Sequence, residues 1–322
     1  MFFMNRVNRD QRVVAIIGAG MVGMSCAYAL LNQGICNRIL LIDVDEQRAM
    51  GEAMDLSHGL PFAPRRIQIE NGSCRDLKQA DIAVLCAGVN QKPGESRLSL
   101  LQRNTVIARQ VTRQAVDAGF SGLFLVASNP VDIMTWVVLN ESGFPPSRVF
   151  GSGTTLDSAR LRYLLGEYFS VDPRNVHAYV IGEHGDSEFV PWSQALLATR
   201  PILSLCEERG EACRTALNRI REQVRDSAQV IIRAKNSTYY GVGMALCRII
   251  RAVFDDEHSV LTLSTRAGGA YGLAEDDLLG LPCLIGREGI ERPLRLKLWG
   301  EEIEQLKKSA AALNDARSSL SL

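Results

Sequence analysis

The chain carries no net charge, no cysteines at metal-ligand spacing and no apolar run of membrane-spanning length. Each absence removes a class of function. Across 322 residues, Lys plus Arg number 36 and Asp plus Glu number 36, so no global field selects nucleic acid or another polyanion. The eight cysteines stand singly at 26, 36, 74, 86, 206, 213, 247 and 283. None falls in a CxxC pair or at ligand spacing from a His, so no metal is expected. Several lie in apolar runs such as Val84-Leu85-Cys86-Ala87, where a thiol acts as a small hydrophobe. Reduced, buried cysteines are expected rather than disulfides. The opening MFFMNRVNRDQR has too few apolar residues before its charges for a signal peptide, and Met4 is an alternative start. A soluble, cytoplasmic protein is expected, with no membrane partner.

What is present is an alternation of β-rich and helix-like stretches. Residues 12–17, RVVAII, end at Gly18; an apolar helical stretch runs from Met21 to Asn32 and closes at Gly34; a second strand spans Arg38 to Asp43. Strand, helix and strand within about thirty residues form a βαβ unit, whose right-handed crossover makes the strands parallel. Further strands are expected at 66–70, 81–86, 122–127 and 148–150, with helices at 45–58, 98–118 and 131–142. These strands read as continuous apolar runs, as they must where helices cover both sheet faces. The fold class expected is α/β, a doubly wound parallel (Rossmann-type) sheet.

After about residue 150 the rhythm changes. Helical stretches are expected at 156–169, 207–235, 240–254 and 300–314, and β runs at 176–181, 258–264 and 282–287. A mixed α+β substrate domain over 151–322 therefore follows a dinucleotide domain over 1–150. Neither repeats nor a low-complexity linker separate the halves, so they are expected to pack closely.

Gly18-Ala19-Gly20-Met21-Val22-Gly23 fits GxGxxG. The first glycine permits the tight turn, the second lets backbone approach a pyrophosphate, and the third lets helix and strand pack closely. A lone GxGxxG is weak evidence, since ordinary strand–helix turns also use glycine. Here it follows a strand, opens a helix, and precedes Asp43 by twenty residues from Gly23. That carboxylate can accept both ribose hydroxyls and would repel a 2′-phosphate, which favours NAD over NADP.

Among four histidines, His184 stands in Ile181-Gly182-Glu183-His184-Gly185-Asp186. A lone loop histidine is more often structural or exposed. Asp157 alters that reading only if folding brings the two together, because a carboxylate on the second ring nitrogen fixes the tautomer and stabilises imidazolium. Arg160 lies three residues after Asp157 on one helix face. It can grip a substrate carboxylate through two parallel hydrogen bonds, or merely form an intrahelical pair. Arg97 ends the polar segment Asn90-Gln91-Lys92-Pro93-Gly94-Glu95-Ser96. Such a segment is either a lid closing over substrate or a solvated loop.

GAGMVG, NQKPGESRLSLLQRN, SNPVD, GSGTTLDSAR, GEHGD and STYYG occur in the order found in the L-lactate and malate dehydrogenase family. The chain resembles that family from about residue 13 to 315. The resemblance implies an NAD-dependent dehydrogenase of small 2-hydroxy acids. His184 would then donate a proton to the keto oxygen and take it back in reverse, and Asp157 would orient it. Arg160 would bind the substrate carboxylate, and Arg97 would polarise the carbonyl on lid closure. Asn129 would lie near the nicotinamide and the reacting carbonyl, and Thr238 would line the substrate pocket.

The family's malate enzymes place an Arg where this chain has Gln91. A neutral Gln leaves oxaloacetate's second carboxylate unpaired in a closed site. Pyruvate and L-lactate are therefore expected ahead of a bulkier 2-hydroxy acid or malate, although Lys92 is adjacent and flexible. Arg162 and His177 match positions that bind fructose 1,6-bisphosphate in allosteric bacterial members, and the resemblance implies a homotetramer or dimer. Two departures bear on the pocket: Asn236 stands where relatives usually have Gly, and 264–269 differs from the common pattern. A non-catalytic NAD-binding protein on the same fold is the competing class, and the presence of all four polar residues argues against it.

Overall fold

A computed structural model describes residues 11–89 and 97–320. The first half contains β1 (Val13–Ile17), α1 (Met21–Gln33), β2 (Arg38–Ile42), α2 (Glu46–His58), β3 (Gln68–Asn71) and β4 (Ile82–Leu85). It continues through α3 (Arg97–Asp117), β5 (Leu123–Val126), α4 (Val131–Ser142) and β6 (Val149–Gly151). All six strands are parallel in the order β3-β2-β1-β4-β5-β6. The order reverses between β1 and β4, and the crevice outside the carboxyl ends of the strands at such a switch is where open α/β sheets hold ligands. β1, β4 and β5 are buried at every position, as the uninterrupted apolar runs required.

Local chemistry sets the helix ends. Asp45 caps α2, its side chain accepting the Arg48 N–H at 3.0 Å. Gly34 ends α1 with φ +62°, donating back to the Leu30 and Leu31 carbonyls.

The second half contains α5 (Thr155–Phe169), β7 (Val176–His177), β8 (Leu196–Leu197), β9 (Arg200–Pro201), α6 (Ile202–Arg209) and α7 (Glu211–Lys235). Then come α8 (Tyr240–Phe254), β10 (Ser259–Arg266), β11 (Leu278–Gly286), β12 (Gly289–Pro293) and α9 (Gly300–Ser318). β10, β11 and β12 run antiparallel and join the parallel sheet where Ser264 pairs with Gly151. One nine-stranded sheet therefore crosses the boundary expected at residue 150. The main core draws on both halves, while a second core lies beneath α5, α6 and α7, around Leu161, Leu165, Ile202 and Leu217.

Four expectations are corrected. The helical stretch at 207–235 is two helices, broken at Gly210 with φ +78°, a conformation that a side chain resists. The β run expected at 176–181 pairs as a strand only at Val176–His177, with one isolated bridge from Ile181 to Phe189. The strand expected at 282–287 begins at Leu278, and β12 follows it. Cys206 and Cys213 form a disulfide rather than two buried thiols. The Gly210 turn brings the end of α6 over the start of α7, leaving the two Cα atoms 5.0 Å apart. A spacing of seven matches no redox or metal motif, so sequence carried no sign of the pairing.

Candidate active site

The glycine turn lies at the carboxyl end of β1. Gly18 has φ +106°, and a Cβ there would meet the Ala87 nitrogen at 2.7 Å. A Cβ on Gly23 would lie 2.0 Å from the Gly18 carbonyl oxygen, so that position must be bare for α1 to pack on β1. Gly20 differs: nothing lies within 4 Å of its Cβ direction. Space in front of Gly20, at an N-terminus without a side-chain cap, is what a pyrophosphate cradle requires. Met21 is 59% exposed on this face, and Val22 is half-buried.

Asp43 ends β2 beside the turn. Its Oδ2 accepts the Ala19 N–H at 2.7 Å, and its Oδ1 accepts the Asp45 N–H at 3.0 Å. The carboxylate thus braces the glycine turn and keeps lone pairs free for ribose hydroxyls. A cleft of about 530 Å³ opens against Asp43, with Ser73, Cys74 and Arg75 on its walls. The turn, the open face at Gly20 and this cleft fit NAD.

At the other end of the crevice, folding brings together the residues whose juxtaposition was in question. α5 presents Asp157 and Arg160, and the loop after Ile181 presents His184. The His184 Nδ1 lies 2.6 Å from Asp157 Oδ2, and Arg160 Nη1 lies 2.7 Å from Asp157 Oδ1. Asp157 is 2% exposed, whereas His184 keeps 26% of its side chain open. The carboxylate is spent inward, and the histidine faces out.

The loop holding His184 is fixed from three sides. Gly182 exchanges backbone hydrogen bonds with Gly280 of β11 at 2.9 and 2.8 Å. The Glu183 N–H donates to Ser309 Oγ of α9 at 2.6 Å. The His184 N–H donates to Asp132 Oδ2 at 2.8 Å, while Ser264 Oγ donates to Asp132 Oδ1 at 2.6 Å. Gly182 has φ +99°, and a Cβ there would press on Ser309 Oγ at 2.7 Å. One glycine therefore seats the loop on α9.

Charge follows from this packing. Burial opposes a charged His184, but Asp157's charge and hydrogen bond outweigh it and lift the imidazole to about 9. Burial likewise acts against the Asp157 carboxylate, yet His184 and Arg160 hold it below the usual range. At neutral pH the site therefore presents a protonated imidazolium over a carboxylate, poised to donate. Burial raises Asp132 to about 6, against its bonds from Ser264 and His184.

Asn129 follows β5, joined to Pro130 by a cis peptide bond. Its carbonyl accepts from Asn104 Nδ2 at 3.1 Å, which ties it to α3. Thr238 lies between α7 and α8, half-buried, beside a pair of tyrosines over which Lys235 packs. Arg97 opens α3; its side chain and Gln91 lie outside the described residues. Arg162 donates to the Pro173 carbonyl at 3.3 Å, and His177 is exposed on β7, which packs against α5. Asp132, Glu188, Ser264 and Ser309 were not singled out in the sequence. Asp132 stands within SNPVD and Glu188 four residues after His184, but carboxylates are common and only the fold shows what they meet.

The comparisons with known proteins agree with this geometry. The model of the lactate/malate dehydrogenase NAD-binding domain matches residues 12–151. That of the family's α/β C-terminal domain matches residues 154–319. An L-lactate dehydrogenase of Geobacillus stearothermophilus is 49% identical over 306 residues, covering 95% of this chain and 96% of the relative. Among solved structures, a lactate dehydrogenase from a Medee basin deep-sea metagenome library superposes with a TM-score of 0.95 at 46% identity, covering 97% and 99% of the two chains. The minor L-lactate dehydrogenase of Enterococcus mundtii, in its ligands-bound form, gives 0.93 at 40% identity, covering 97% of this chain and 99% of its own. With two family models end to end across a chain whose dinucleotide turn and acid–base pair are both in place, the chain belongs to the lactate/malate dehydrogenase family.

Proposed function

We propose that the chain is an NAD-dependent L-lactate dehydrogenase, interconverting pyruvate and L-lactate. The observation that carries the reaction type is His184, held as imidazolium by Asp157 at 2.6 Å. Bound NADH supplies the hydride. His184 gives its proton to the keto oxygen as the carbonyl carbon is reduced, and Asp157 keeps the ring oriented while its charge changes. In lactate oxidation the neutral imidazole takes the hydroxyl proton back. One guanidinium nitrogen of Arg160 is engaged by Asp157, leaving its other N–H donors for the substrate carboxylate. Arg97 stabilises the developing alkoxide after closure. Asn129 would lie by the carbonyl and nicotinamide when both are bound, and Thr238 would line the pocket.

Gln91 and the names of the similar enzymes support pyruvate over oxaloacetate. With NADH, kcat/KM for pyruvate should exceed that for oxaloacetate by at least about a hundredfold, the scale of a few kcal/mol. Gln91→Arg should shift the preference toward oxaloacetate, and equal rates in the unaltered enzyme overturn the assignment.

We infer, as the family resemblance implies, that the enzyme acts as a homotetramer. No helix among the described residues is long and apolar enough to cross a membrane. Arg162 and His177, doubled by a two-fold axis, would hold the phosphates of a fructose 1,6-bisphosphate effector. Pyruvate saturation curves that superimpose with and without the sugar bisphosphate would remove that assignment.

A further inference from the structure

A cavity of about 160 Å³ lies between the loop of His184 and helices α7 and α9, with Asp186, Glu188, Arg221, Arg225 and Gln305 on its walls. It has room for several waters. Glu188 both lines this cavity and reaches the proton-transfer pair. A Glu188 carboxylate oxygen, a His184 ring nitrogen and an Asp157 carboxylate oxygen all lie within 4.8 Å of one another. No step described above uses Glu188.

Three such atoms could hold a metal cation, but Arg160 already sits 2.7 Å from Asp157 and would repel one. The cation this group suits is a proton. We propose that Glu188 is a positioning residue of the proton-transfer pair, its carboxylate acting with Asp157 to keep the His184 imidazolium charged. It acts through His184 and touches no reacting atom.

The surroundings give this role a pH range. Burial lifts the Glu188 carboxyl to about 8 and Asp157 adds to the rise, while His184, Arg160 and Arg225 oppose it. Asp132 faces His184 from α4, and Asp186 and Arg221 complete the charged groups at the cavity. Glu188 is thus neutral through the neutral range. It ionises just where His184, held at about 9, begins to release its proton. The cavity has room for water against that carboxyl, through which it can exchange protons. The two groups titrate as a unit with Asp157. An ionised neighbour at this separation should raise the imidazolium by about one pH unit in a partly open site.

The test is the pH profile of kcat/KM for pyruvate at saturating NADH, from pH 6 to 10, for the unaltered enzyme, Glu188→Gln and Glu188→Asp. Below about pH 7 the Gln variant should match the unaltered enzyme, because amide and protonated carboxyl are both neutral and nearly isosteric. Its alkaline limb should move about one unit lower, an approximately tenfold loss at pH 9.5. The Asp variant, which keeps an ionisable group on a shorter stem, should fall between and serves as the test if the Gln variant does not fold. A variant profile parallel to the unaltered one, whether superimposed or lowered at every pH, overturns the proposal. The inference rests on His184 as proton donor. Failure of that reading shows separately, as an unaltered enzyme with no alkaline limb near pH 9.

Discussion

Asp157→Asn tests the acid–base pair most directly, because the structure assigns Asp157 an energetic role as well as a geometric one. His184 is lifted from 6.5 to about 9, a difference of about 3 kcal/mol between its protonation states. Asp157 is 2% exposed and His184 26%, so little of that is lost to solvent screening. With Asn in place, burial acts against the imidazolium without its main opponent, and the ring should titrate at or below its ordinary value. At pH 7 the protonated fraction then falls from about 99% to under about 25%. Asn can also present its NH2 to Nδ1, which sets the wrong tautomer for proton transfer. The kcat/KM for pyruvate at pH 7 should fall at least about fourfold through protonation alone, and about a hundredfold or more with the tautomer effect. The decisive readout is the profile: the alkaline limb should move from near pH 9 to near or below 6.5, with partial recovery in acid. A limb that stays near 9, or a pH 7 rate within threefold of the unaltered enzyme, refutes the reasoning. Stability carries the same sign. His184 is raised in the folded state, so its stabilising contribution is full below about pH 6.5 and is lost as pH rises through about 9. Thermal melts of the Asn variant should lose that pH dependence.

Four further outcomes follow from the geometry. Gly20→Ala should melt within about 1 kcal/mol of the unaltered protein, since its Cβ meets nothing within 4 Å, yet bind NADH at least about tenfold more weakly by titration. Gly23→Ala, whose Cβ would stand 2.0 Å from the Gly18 oxygen, should lose about 2 kcal/mol or more, seen in denaturant melts; equal behaviour of the two variants would count against the turn's assigned roles. Arg160→Lys keeps the charge but not the fork, so the KM for pyruvate should rise about a hundredfold in steady-state assays, and an unchanged KM would return Arg160 to a purely structural pair. Cys206 and Cys213 close a loop of seven residues' separation, so reduction should lower stability by about 2–3 kcal/mol on the chain-entropy account, measured as melts with and without dithiothreitol.

The sheet was legible because its determinants are local. Runs such as Ile39-Leu40-Leu41-Ile42 and Leu123-Phe124-Leu125-Val126 are buried on both faces, and burial on both faces leaves an apolar run as its trace. The glycine turn was legible for a related reason: each glycine answers to a neighbour within a few residues or to the strand beside it. The crossing of the sheet into the second half was not legible. It rests on one pairing, Ser264 with Gly151, between residues over a hundred positions apart, and neither segment carries a pattern that names its partner. The disulfide and the break at Gly210 escaped together, since the turn that breaks the helix is what brings the thiols within reach.

The site divides along the same line. His184, Asp157 and Arg160 stood in recognisable motifs, and what folding added was their order: Arg160 to Asp157 to His184, with distances of 2.7 and 2.6 Å. That order changes the reading of Arg160. From spacing alone its pairing with Asp157 competed with a substrate role. The structure uses only Nη1 for Asp157, and a guanidinium has five N–H donors in a fixed fork. Pairing therefore orients the fork rather than consuming it. The same carboxylate that keeps His184 charged also aims the group that receives the substrate's carboxylate, so proton donor and substrate anchor share one buried anion. Displacing that anion should disturb both at once, which is why Asp157→Asn is expected to change the pyruvate KM as well as the alkaline limb, while Glu188→Gln changes the limb alone.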